Sequence, residues 1–350
     1  MVRITGNFQQ ERELHPAAFS LLPELFAKGW YEPAKLNQQS RQSAILLQQA
    51  KETFASSLKV NVSEIEFLGE TDLGFQLGIQ GVLKQSSELF YSAIDRQKVF
   101  AVAKTEENLG RTIKELPVDN QGVIQVSKFS KDDVLVWQMA NGETGNKQSA
   151  PKVDCQIFAD CTSSGVDLLP DFDYQTGLFD STSWAGPSGV GILVIKSKSS
   201  WRNPLPHNDL LRVPNSFSLP LVLASAVALE NYLKDQDIRA ELKEYIINFI
   251  SNQIKDVDIA SNLSGLSKQI SISIKSVEAD RLLLALEDVG FSVDSGSACK
   301  SADMQPSHVL AAMGRPIIGN IRLTLHKDLN QEIVKNFCLA LKSAVENLRS

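Results

Sequence analysis

The sequence predicts an α/β protein, with a large domain on a mainly parallel sheet and a smaller α+β domain in its C-terminal third. Three observations lead there. Short apolar runs bounded by turn residues recur along the first two thirds, the pattern of strands buried on both faces. The stretches between them have room for crossover helices, which implies right-handed β-α-β units. Beyond a polar stretch the pattern changes to helices around an alternating strand, and 350 residues with 43% hydrophobic content suffice for two cores.

Taken in order, residues 24–59 carry helical signals. Pro33 separates a first short helix from a longer one in which Ala44, Leu47, Ala50, Lys51 and Phe54 recur at helical spacing. Leu89-Phe90-Tyr91, Val134-Leu135-Val136-Trp137, Gln156-Ile157-Phe158-Ala159 and Gly191-Ile192-Leu193-Val194-Ile195 read as buried strands. Lys196-Ser197-Lys198-Ser199-Ser200, continuing through Pro204 and Pro206, reads as a surface loop. Helices are expected from 219 to about 234, from about 238 to 254, over 279–289 and from 330 onward, with Ile270-Ser271-Ile272-Ser273-Ile274 as a strand. The large domain is expected over 11–212, and the small one from 1–10 together with 213–350. No internal repeat is visible.

A net charge of −6 without clustered Lys and Arg argues against nucleic-acid binding. Met1-Val2-Arg3-Ile4-Thr5 has no apolar signal core, and no run approaches the ~20 apolar residues of a membrane span, so a cytoplasmic protein is expected. Cys155, Cys161, Cys299 and Cys338 form no C-x-x-C pair and read as reduced thiols.

Several motifs stand in a telling order: Glu32-Pro33-Ala34 before a helix containing Arg41, Tyr91-Ser92-Ala93-Ile94-Asp95, Leu116-Pro117-Val118-Asp119, Ala140-Asn141-Gly142-Glu143-Thr144-Gly145 and Ala159-Asp160. Gly186-Pro187-Ser188-Gly189-Val190-Gly191, Ser295-Gly296-Ser297-Ala298-Cys299 and Asn320-Ile321-Arg322-Leu323-Thr324-Leu325 follow. Together they resemble the cysteine desulfurases, a branch of the class V aminotransferases that uses pyridoxal phosphate (PLP). The resemblance implies the PLP-dependent transferase type I fold, similar to aspartate aminotransferase, with a mainly parallel seven-stranded sheet and a small α+β C-terminal domain. It also implies a homodimer, an amino-acid substrate, and a sulfur acceptor or iron-sulfur assembly protein as partner.

By the same resemblance Cys299 matches the cysteine that attacks the substrate sulfur and becomes a persulfide, a nucleophile that needs a reachable loop. Arg322 falls where the family holds the substrate carboxylate, a task suited to a guanidinium fork. Asp160 matches the carboxylate that pairs with the PLP ring nitrogen, and Asn141 with Glu143 matches a loop beside the cofactor, in which the usual second asparagine is here Gly142. The departures are as informative. Ser183 stands at the Schiff-base lysine and Thr182 at the histidine before it, and a hydroxyl forms no imine. Asp180 replaces a phosphate-binding serine, and the other phosphate loop reads Leu68-Gly69-Glu70-Thr71-Asp72, so Thr71 is flanked by carboxylates that repel a dianion. Arg96 replaces a ring-stacking histidine, Ser163 a glutamine, and Phe8-Gln9-Gln10-Glu11 a small-residue segment. None of the four histidines holds a site position.

Three readings follow. The chain is a degenerate homologue with a non-catalytic or sulfur-transfer role, or it holds PLP noncovalently and uses Cys299 as a persulfide nucleophile. Alternatively, its pocket has been remodelled so that Glu70, Asp72, Asp160 and Asp180 take a cationic ligand or a metal.

Overall fold

A computed structural model describes residues 5–28, 31–207, 212–214, 216–296 and 307–350. After a two-residue strand, β1 (Gly6–Asn7), come helices α1 (Pro16–Lys28) and α2 (Gln38–Leu58). Helix α1 starts well before the expected residue 24. Pro23 inside the helix masked that start, whereas Pro16, at the first position, needs no N–H partner. Asn37 caps α2 by accepting from the Ser40 amide at 2.8 Å, so Pro33 lies between the two helices as expected.

The large sheet follows in alternation with helices: β2 (Ile65–Leu68), α3 (Thr71–Gln80), β3 (Leu89–Ser92), α4 (Gln97–Asn108), β4 (Ile113–Leu116), β5 (Val134–Gln138), β6 (Gln156–Asp160), β7 (Thr176–Asp180) and β8 (Gly191–Ile195). The spatial order is β2-β8-β7-β6-β5-β3-β4; β8 runs antiparallel to both neighbours and the other pairings are parallel. The mainly parallel seven-stranded sheet of a type I fold is therefore present. Three of its strands, β2, β4 and β7, were not among those read from the sequence. β4 is an edge strand with Lys114 and Glu115 exposed, and β7 is interrupted by Gly177, where a Cβ would come within 3.0 Å of the Tyr174 ring.

The apolar runs are continuous because both faces of the sheet are covered. Leu135, Trp137, Ile157, Ala159, Phe179 and Ile192 point into one core with α1 and α2, while Val134, Val136, Phe158, Leu178 and Leu193 point into another beneath α3 and α4. Helix α5 (Leu219–Tyr232) packs on α1 and α2 in the first of these cores, although it follows the boundary expected near 212.

The second unit contains α6 (Arg239–Gln253), β9 (Val257–Ile259), β10 (Gln269–Ile274), α7 (Ala279–Glu287), β11 (Phe291–Ser292), β12 (Asp294–Ser295), α8 (His308–Ala312), β13 (Asn320–Thr324) and α9 (Gln331–Arg349). Its sheet runs β12-β13-β10-β9, and β1 pairs with β11, which ties the N-terminal strand to this unit. Ile270, Ile272 and Ile274 of β10 enter its core, and the alternate serines are covered too. Ser271 and Ser273 each accept from Asn320 Nδ2 at 3.0 Å. Among the described residues no helix is long and apolar enough to cross a membrane.

Candidate functional site

Where the parallel strands end, a cavity of about 460 Å³ opens between the two units. β3, β5 and β6 deliver Arg96, Asn141 and Asp160 at their C-terminal ends, and β13 brings Arg322 from the other unit. Of the residues anticipated from sequence, Asp160, Asn141, Arg96, Ser163, Ser183 and Arg322 line this cavity together. Thr71 and Asp180 are not among the lining residues, although their chain neighbours Asp72 and Thr182 are. Cys299 lies outside the described residues.

The floor is a closed electrostatic pair. Asp160 is buried, and its Oδ1 accepts from the Thr162 amide at 2.9 Å and from Thr162 Oγ1 at 2.6 Å. Its Oδ2 faces Arg96 Nε at 3.4 Å, and Arg96 Nη2 donates to Ser163 Oγ at 2.5 Å. Gly142 makes this possible: a Cβ there would lie 2.8 Å from Ser163 Oγ and 3.3 Å from Arg96 Nη2. Asn141 is fully engaged in holding its own loop. It donates to Ile94 O and Gln138 Oε1, and it accepts from the amides of Glu143 and Thr144. Beneath it, burial pushes the Asp95 carboxyl well above its usual range while it accepts from the Ser92 amide at 2.7 Å and Gln138 Nε2 at 2.9 Å.

PLP, the group that the resemblance implies, does not fit these residues in the family's manner. Ser183 Oγ donates to the Asp180 carbonyl at 2.7 Å and packs on Gly165, where a Cβ would stand 2.2 Å away, so position 183 offers neither an amine nor space. The N-terminus of α3, a ready seat for an anion, is already taken. Glu70 caps it, accepting from the Asp72 amide at 3.4 Å. Asp180 likewise caps its own turn, accepting from the Thr182 amide at 2.8 Å and Thr182 Oγ1 at 2.5 Å.

The four carboxylates expected to form an acidic cradle do not converge, which corrects the reading of a pocket for a cation. Glu70 and Asp180 are caps, Asp72 pairs with Lys98 at 2.9 Å, and Asp160 pairs with Arg96. Among the described residues no group of three or more His, Cys, Asp or Glu could hold a metal. Cationic side chains dominate the lining instead: Arg12, Arg96, Lys98, Arg239, Lys268 and Arg322 stand against Asp72, Asp95, Glu143 and Asp160.

Several of these lining groups were not singled out from sequence. Arg239 and Lys268, both buried, share Asp167: Arg239 Nη1 and Nη2 donate to it at 3.2 and 3.1 Å, and Lys268 Nζ lies 3.2 Å away. Burial alone would raise the Asp167 carboxyl, but the Lys268 and Arg239 cations hold it at about 2. His326 reaches back to the N-terminal segment, its Nε2 bonding to Gln9 O at 2.8 Å; burial, with the Arg12 charge added, pushes it down to about 4. His308 is tied to Asp95 O at 2.8 Å and Gln97 Nε2 at 3.2 Å. None of these was read from the sequence, because they meet from segments remote in the chain.

No family model matches the chain. Among curated proteins it is 26% identical over 377 residues to cysteine desulfurase IscS of Dictyoglomus turgidum, covering 97% of this chain and 92% of that protein. A solved NifS-like protein superposes with a TM-score of 0.85 at 20% identity, covering 99% of this chain and 100% of its own. An apo cysteine desulfurase from Thermococcus onnurineus NA1 does so with a TM-score of 0.82 at 14% identity, covering 99% of each chain. Along nearly its whole length, then, the chain is a homologue of the cysteine desulfurases, and it shares the type I fold of PLP-dependent enzymes.

Proposed function

We propose that this chain does not itself cleave cysteine through an imine-bound cofactor and serves sulfur transfer as a non-catalytic partner. The observation that carries this reading is Ser183, a hydroxyl turned back onto the Asp180 carbonyl at the place where the chemistry requires an amine. Glu70 on the α3 N-terminus adds to it, since an anionic tail would have to displace a carboxylate there. The same carboxylate at the α3 N-terminus counts against a noncovalently seated cofactor, whose anionic tail it would repel.

In this reading the protein is a cytoplasmic homodimer, and Cys299 is its working thiol. The Cys299 thiolate attacks the terminal sulfur of a persulfide on a partner protein, a new S–S bond forms, and the partner's thiolate leaves; no external oxidant or reductant is needed. Two assays test it. Sulfide release from L-cysteine at saturating PLP is expected to be absent, and sulfur uptake from a persulfidated partner is expected to vanish in Cys299→Ala. Turnover of L-cysteine by the purified chain would sink the reading.

A further inference from the structure

Two guanidinium groups face the cavity without a hydrogen bond among the described residues. Arg322, with its side chain 30% exposed, comes no nearer a carboxylate than Glu143 at 4.0 Å, and its Nε is buried with no partner. Arg12, 19% exposed, has only Asp328 at 3.9 Å, a side chain that is itself 80% exposed. The other arginines of the cavity behave differently: Arg96 donates to Ser163, and Arg239 is forked onto both Asp167 and Asp237. A guanidinium carries five N–H donors in a rigid fork, so two mostly buried forks left idle on one cavity are aimed at something other than the described residues.

Their spacing follows from the backbone. Arg322 lies on β13 opposite Ser271. Just beyond, the Thr324 amide bonds to Phe8 O at 2.7 Å and His326 Nε2 bonds to Gln9 O, so the N-terminal segment runs along the end of β13 and brings Arg12 to the far side. From residue 322 to 326 an extended chain covers about 13 Å, and the flexible side chains shorten the distance between their heads. Lys268 and Arg239 stand at the Arg12 end too, but Asp167 and Asp237 already answer them, which leaves Arg12 as the idle donor there.

We infer that the cavity binds a small dicarboxylate, with one carboxylate forked on Arg322 and the other on Arg12. The inference rests on the reading above that no lysine-bound cofactor fills this space, and it goes beyond it in giving Arg12 a ligand. The two can fail separately, since an absorption spectrum reports the cofactor and a titration reports the acid.

The test is calorimetric titration of the full-length, cofactor-free protein with malonate, succinate, glutarate and adipate, against acetate, butyrate and inorganic phosphate. One chain length should bind at least about tenfold more tightly than either monocarboxylate or phosphate, and Arg12→Gln should bring it down to the monocarboxylate level. Arg12→Lys, which keeps the charge and loses the fork, should fall between the two. Equal binding of mono- and dicarboxylates by the wild-type chain, a result that needs no variant to fold, would overturn the inference. So would phosphate binding as tightly as the best dicarboxylate, or Arg12→Gln titrating like the wild type in a protein that melts normally.

Discussion

Arg96 and Gly142 depend on each other: the guanidinium that pairs with Asp160 and bonds to Ser163 lies where a side chain at 142 would have to stand, 3.3 Å from the position of its Cβ. The two positions are therefore coupled in packing.

Gly142→Asn should push Arg96 off Ser163 and destabilise the protein by about 1–3 kcal/mol. Combining it with Arg96→His should return part of that loss. Thermal denaturation of the two single variants and the double variant closes the cycle, and strictly additive effects would show that the residues are independent.

Glu70→Ala should free the amides at the start of α3. The expected result is a modest loss of stability, on the order of 1 kcal/mol, with a gain in affinity for inorganic phosphate or pyridoxal phosphate. Titration of the variant and the parent with each anion measures it, and unchanged affinity would show that the carboxylate does not guard the helix end.

His326 is held near 4 against an ordinary 6.5, so the unfolded chain takes up this proton first. Stability is expected to decline as pH falls from about 6.5 to 4, by roughly 3 kcal/mol in total from this group. His326→Gln should flatten that part of the profile in chemical denaturation.

Asp167 acts in a lower window. Its carboxyl lies near 2 in the folded state against 3.8 unfolded, so its contribution is full above about 4 and is lost as pH falls toward 2. Asp167→Asn leaves Arg239 and Lys268 facing each other without a carboxylate between them and should cost about 3–5 kcal/mol at neutral pH. A variant as stable as the parent would show that Asp237 and Ser164 suffice to hold the two cations.

The parallel core was legible because both faces of the sheet are covered, which turns β5, β6 and β8 into unbroken apolar runs. β7 and the start of α1 were hidden by single residues, Gly177 and Pro23, whose propensities oppose the structure that packing imposes. In the site, the reading that places Ser183 at the amine position rested on its neighbours Gly186 and Pro187, and Ser183 does line the cavity. The acidic cradle misled because the charges that answer it, Lys98 and Arg96, lie far from it in sequence. Arg12, Arg239 and Lys268 carried no local signal at all; only the joining of the two units brings them to one cavity.

The most direct test of the absent amine is the visible spectrum of the purified protein, recorded alone and with pyridoxal phosphate, followed by borohydride reduction and peptide mass analysis. Only the absorbance of the free cofactor, with no cofactor-modified lysine after reduction, is predicted. A yellow protein whose cofactor is fixed by borohydride to any lysine, Lys268 included, would contradict it.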